Sequence, residues 1–171
     1  MLGFLFRTLT AAPAEGAALF DRLTAEARRP DWYVACGVRD TLDGRFAVLS
    51  TLTALALVRL EEGGTNGNAA SVTLTERFIE VMESEHRELG LGDPTLGKTV
   101  RKLVGMLARR TELWRATVAG DCAWWDKAVR DSLYKEGPDR AAVLASGEEL
   151  RSFWTRLQDG SVGEIARGAI P

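Results

Sequence analysis

Histidine is nearly absent from this 171-residue chain, where His86 stands alone. Zinc sites built on several histidines, and the HExxH motif, are therefore excluded. A Ser-His-Asp triad could draw only on His86, within the charged, helix-like stretch Glu83–Glu88, where a solvated role is expected. Cysteine is almost as scarce. Cys36 and Cys122 form no disulfide framework, which points to a reducing compartment. No excess of one charge is present: 22 basic residues face 24 acidic ones, for a net charge of -2. Nucleic acid is thus not an expected partner. The apolar run Phe46–Val58 has thirteen uncharged residues, whereas crossing a bilayer takes about 20. The apolar start Met1–Leu9 lacks a basic leader and a long hydrophobic stretch, so it makes a poor signal peptide. It remains open as a frayed end, a strap over the core or a toe-hold on a membrane surface.

What is present is helical periodicity, with weak strand signals throughout. Hydrophobic content of 46% and charged content of 27% are those of one globular domain. The expected architecture is all-α: a single bundle of about six helices over residues 15–158, flanked by a flexible segment 1–14 and a mobile tail 159–171. The first helix covers Glu15–Arg29 and is broken by Pro30. A connector, Pro30–Leu42, carries Trp32 and Tyr33 as packing anchors. The second helix begins near Asp43, read as its N-cap. Its uncharged run makes it the central helix, covered on most sides. Glu61–Ser71, rich in glycine and asparagine, reads as a flexible loop. Further helices follow over Thr73–Leu89, from Asp93 to about Val118, over Asp121–Tyr134 and over Asp139–Gln158. Gly90 is the expected C-cap of the third, and Asp93-Pro94 the start of the fourth.

Gly92-Asp93-Pro94-Thr95-Leu96-Gly97-Lys98-Thr99 matches the phosphate-binding pattern GxxxxGK[ST] in full. That motif needs a buried strand just before the loop, so that backbone amides and the lysine can wrap phosphates. Here the preceding stretch is charged, and no alternating strand–helix pattern supplies a parallel sheet. A loop between two helices accounts for the same glycines. A nucleotide-binding protein stays as a remote alternative.

Two blocks remain. One is Gly37-Val38-x-Asp40-Thr41-x-Asp43-Gly44-Arg45-Phe46. The other is Glu80-x-Met82-x5-Glu88-Leu89-Gly90-Leu91-Gly92-Asp93, followed by Gly97-Lys98-x-Val100. In order and separation they resemble the ubiquinol–cytochrome c chaperone family, assembly factors of the cytochrome bc1 complex, over Tyr33 to about Tyr134. Departures from the family pattern are Ala47, in place of an acidic residue, Leu52, in place of a histidine, and Val58-Arg59, in place of an Arg-Arg pair.

The resemblance implies a non-enzymatic helical chaperone with no cofactor of its own. It would bind newly made cytochrome b, hold it during haem insertion and hand it over. It would work in the cytoplasm, at the inner face of the bacterial inner membrane. Candidate client surfaces are Trp32 and Tyr33 beside the first block, and Lys98, Arg101, Lys102 and Arg109 on the fourth helix. The basic residues could meet anionic lipid or simply be solvated. Trp32, Tyr33, Trp124 and Trp125 could form a groove or lie in the core. Asp40, Asp43 and Arg45 could contact the client or brace the connector. His86, Met1, Met82 and Met106 are the conventional axial haem candidates, but none lies in a haem motif. No catalytic or metal-binding set is identified. A membrane-peripheral helical adaptor with a different client is the alternative reading.

Overall fold

The computed structural model describes residues 16–88, 96–120 and 123–171. They form eight helices and no strand: α1 (Ala17–Ala27), α2 (Asp31–Val34), α3 (Leu42–Glu61), α4 (Gly64–Glu88), α5 (Leu96–Ala119), α6 (Ala123–Leu133), α7 (Arg140–Asp159) and α8 (Val162–Ala166). The all-α bundle expected from the periodicity is what the chain adopts. No described helix is long and apolar enough to cross a membrane.

The uncharged run becomes the axis of the bundle. α3 packs against α1, α4, α5, α6, α7 and α8, and every residue from Val48 to Leu60 is buried. A helix covered all round must satisfy its polar side chains internally. Ser50 and Thr51 donate to Phe46 O and Ala47 O, each at 2.7 Å, and Thr53 donates to Leu49 O at 2.8 Å. Arg59, buried near the end of α3, donates through Nε to Leu157 O and through Nη2 to Gly160 O, both at 2.9 Å. The guanidinium thereby satisfies carbonyls at the C-terminal end of α7 that no helical amide reaches. Of the family departures, Leu52 and Val58 are core residues.

Three boundaries differ from the sequence reading. The N-cap of α3 is Thr41, whose hydroxyl accepts from Gly44 N at 3.2 Å. Asp43 instead lies in the first turn, where its carboxylate favours the positive end of the helix dipole. Glu61–Ser71, expected as a loop, is mostly the start of α4. Ala70 and Leu74 are buried there, and this packing overrides the poor helix propensity of glycine and asparagine. Gly67 permits it, because a Cβ at that position would lie 2.0 Å from Leu60 O at the end of α3. Finally, residues 159–171, expected as a tail, carry α8. A capping box between Ser161 and Glu164 starts this helix, and Ile165, Ala166 and Ile170 enter the core. Gly16 N donates to Ala166 O at 2.9 Å, joining the first and last described elements. Residues 1–14, Gly90, Asp93-Pro94 and Cys122 lie outside the described residues.

Candidate functional site: a cleft beside the central helix

The first sequence block folds as a strap into the start of α3. Trp32 is fully buried, and its indole Nε1 donates to Glu26 O at 3.0 Å. Tyr33 is half-buried, and its hydroxyl donates to Ala27 O at 2.7 Å. Both rings fasten the strap to the end of α1. Gly44 is buried where the strap crosses α3, and a Cβ there would meet Arg39 O at 1.9 Å. No residue but glycine fits at that crossing.

Beside this strap lies a cleft of about 900 Å3. Its walls come from the strap, from α3 (Phe46, Leu49), from α4 (Val81, Met82), from α5 (Leu103, Met106, Arg110) and from the α6–α7 connector. Both sequence blocks therefore contribute to one cavity: Gly37 and Asp43–Phe46 from the first, Met82 from the second. The Phe46 and Phe78 rings stand 5.9 Å apart behind it.

Ion pairs across the rim tie the parts together. Lys135 Nζ lies 2.6 Å from Asp43, and Arg39 pairs with Glu136. The Arg45 Nε–Asp40 contact is 2.7 Å. Lys135 holds the Asp43 carboxyl below its ordinary pKa, and Arg45 does the same for Asp40. The expected Asp–Arg brace thus joins Asp40 to Arg45, while Asp43 turns to a lysine that sequence reasoning did not single out. At the far wall the Tyr134 hydroxyl sits among Cys36 O (2.6 Å), Ser146 Oγ (2.7 Å) and Ala142 O (3.1 Å). Burial pushes the Tyr134 and Cys36 pKa values up.

The basic residues of α5 separate. Lys98, Arg101, Lys102 and Arg109 are all exposed, but only Lys102 lines this cleft. Arg109 lines a second cavity of about 540 Å3, beside the Arg115–Glu61 pair at 2.5 Å. Trp125 is buried edge-on to Trp114 at 5.2 Å, whereas Trp124 is 60% exposed. The element before Gly92-Asp93-Pro94-Thr95 is helix α4 rather than a strand, and those four residues lie outside the described ones. The same holds for the His86 side chain and for Met1. Met82 and Met106 both line the cleft. Among the described residues no cluster of metal-ligating side chains occurs.

The residue most visibly missed by sequence reasoning is Arg110. Its Nη1 donates to Ala47 O at 3.0 Å, to Ser50 Oγ, and weakly to Thr51 Oγ1 at 3.4 Å. These acceptors are neutral, and the guanidinium pairs with no carboxylate among the described residues. Burial draws its pKa down to about 10, which still leaves it cationic at neutral pH.

Residues 34–168 match the ubiquinol-cytochrome C chaperone family. The chain belongs to that family. The crystal structure of the Cbp3 homolog from Brucella abortus is similar in fold, with a TM-score of 0.78 and 27% identity over 99% of this chain and 95% of that one. No curated protein matches the chain significantly. The family match spans the central helix, the second cavity and most of the cleft; of the cleft's lining only Thr24, Ala27, Arg28 and Tyr33 precede it.

Proposed function

We propose that this chaperone-family protein binds newly synthesised cytochrome b and assists its assembly into the ubiquinol–cytochrome c reductase (bc1) complex. The observation that carries the reading is the family match over residues 34–168, together with the convergence of both sequence blocks on one cleft. Apolar walls with a charged rim suit transient cover of a hydrophobic segment that has not yet reached its partners. The role is one of binding and release, without catalysis or a cofactor of its own. The protein works at the inner face of the membrane, where exposed Lys98, Arg101 and Lys102 can face anionic lipid, at about 1 kcal/mol per cation near the surface.

The test is affinity recovery from native membranes after mild crosslinking, with partners identified by mass spectrometry. Enrichment of cytochrome b over other abundant membrane proteins, with crosslinks to cleft residues such as Tyr33 or Lys102, is the expected result. Clean recovery without cytochrome b, from cells making the complex, would leave a helical adaptor with another client.

A further inference from the structure

Arg110 is placed at cost. Arg110 is half-buried, and a guanidinium partly withdrawn from water without a counter-charge loses solvation that neutral hydrogen bonds only partly restore. Its surroundings are nevertheless built to hold it. Ser50 and Thr51 spend their hydroxyl protons on carbonyls of their own helix, at 2.7 Å each, which leaves both oxygens as acceptors turned toward Arg110. One edge of the guanidinium is thereby fixed through Nη1. Nε and Nη2 make no hydrogen bond within the described residues, and Arg110 forms part of the cleft wall.

The carboxylates lining the cleft are engaged elsewhere. Asp43 pairs with Lys135, Glu136 with Arg39 and Asp131 with Lys127, while Asp139 caps α7 by accepting from Ala142 N at 2.7 Å. Phe46, Leu49, Met82, Leu103 and Met106 give the same cleft apolar wall, and Lys102 is a second cation of α5 on its lining. A cation held on one edge, unbonded on the other and set in a cleft with apolar wall residues is complementary to one carboxylate on an apolar body.

We propose that the Arg110 guanidinium is the receptor for a single acidic side chain carried on an apolar segment of the client polypeptide. The inference rests on the proposed function only in placing that carboxylate on a polypeptide client. It adds a criterion for selection: among apolar segments of similar size, the one bearing a carboxylate is held.

The test uses the full chain and two dansyl-labelled peptides, N-acetylated and C-amidated, built from leucine, alanine and serine. One carries a central glutamate, its twin a glutamine. Wild type is expected to bind the glutamate peptide about tenfold tighter. Arg110→Met removes that preference and leaves the glutamine peptide's affinity unchanged, with circular dichroism confirming the fold. Arg110→Lys retains part of the preference. Arg77→Met, which removes an exposed cation on α4 outside the cleft, leaves it intact. Equal affinities for wild type, no binding of either peptide, or a preference that survives Arg110→Met would each overturn the site. Cytochrome b recovery is read separately. A glutamate preference lost in Arg110→Met, with no cytochrome b recovered, removes that client and keeps the site. Equal affinities of wild type for the two peptides, with cytochrome b recovered undiminished by both wild type and Arg110→Met, remove the site and keep the client.

Discussion

Two charged side chains in this molecule have opposite surroundings. Glu26 on α1 is buried with three arginines around it: Arg156 at 2.6 Å, Arg29 at 2.9 Å and Arg22 at 3.2 Å. Arg29 reaches on to Glu149 at 3.0 Å, so the network clamps α1 to α7. Arg110 on α5 has only neutral acceptors. Burial alone would raise the Glu26 pKa, but hydrogen bonds from Arg156 and Arg29 outweigh it and hold the carboxyl below its ordinary value. For Arg110, burial acts unopposed. A closed ion network fastens helices together. Arg110 instead keeps an unbonded guanidinium edge on a cleft.

The contrast can be broken at Glu26 first. Glu26→Gln leaves three arginines converging on a neutral group, and should lower stability by about 3 kcal/mol. That is the lower end of the range for breaking a buried pair, because the arginines are partly solvated. Urea unfolding measures it, and unchanged stability would show the clamp to be dispensable.

Acid should reproduce part of the same loss without a mutation. The folded-state pKa of Glu26 lies below its ordinary 4.5. Its contribution is therefore complete above pH 4.5 and is lost as pH falls through the folded value. Wild type should lose stability over that window more steeply than Glu26→Gln, as seen by thermal melts from pH 6 to 3.

A smaller effect is expected at the rim. The Arg45–Asp40 pair is exposed on both sides, so Arg45→Ala should move Tm by no more than about 2 °C. Loss of client binding at unchanged Tm would mark Arg45 as a contact. A loss of similarly small size, or a gain, is expected at Arg110 itself. Arg110→Met should leave stability within about 1 kcal/mol of wild type or raise it, since a charge without a counter-ion is replaced by an apolar chain. A drop as large as that of Glu26→Gln would make Arg110 a structural clamp as well.

Much of the bundle was legible in the sequence because α3 announces itself through thirteen uncharged residues. Asp139, which opened the predicted last long helix, does cap α7. The start of α4 was illegible because its glycines and asparagines are poor helix formers, and only the approach of Leu60 O explains Gly67. The short helix α8 was hidden for a similar reason: its burial depends on α1, α3 and α4, remote in sequence. Within the candidate site, the strap was visible as a block rich in glycine and charge. Trp32, one of its proposed contacts, is enclosed, while Tyr33, Asp43, Arg45 and Lys102 line the cleft. Arg110 was invisible because Arg109-Arg110 reads as a solvated doublet. The one clue was the run of hydroxyls Ser50, Thr51 and Thr53 within an otherwise apolar helix.

Arg59 bears on the order in which the chain can be completed on the ribosome. Its backbone partners, Leu157 and Gly160, lie about a hundred residues downstream, at separations of 98 and 101. As α3 emerges, Glu62 can take Nη1, at 2.6 Å in the finished fold, but the carbonyls that take Nε and Nη2 do not yet exist, and the axis of the bundle cannot close around the cation. A nascent chain arrested with residue 156 as its last exposed residue should remain open to protease, whereas one extended beyond residue 160 should resist it. Equal resistance at the two lengths would show that the axis closes without that anchor. Vectorial synthesis thus separates the formation of the central helix from its sealing by most of the chain's length.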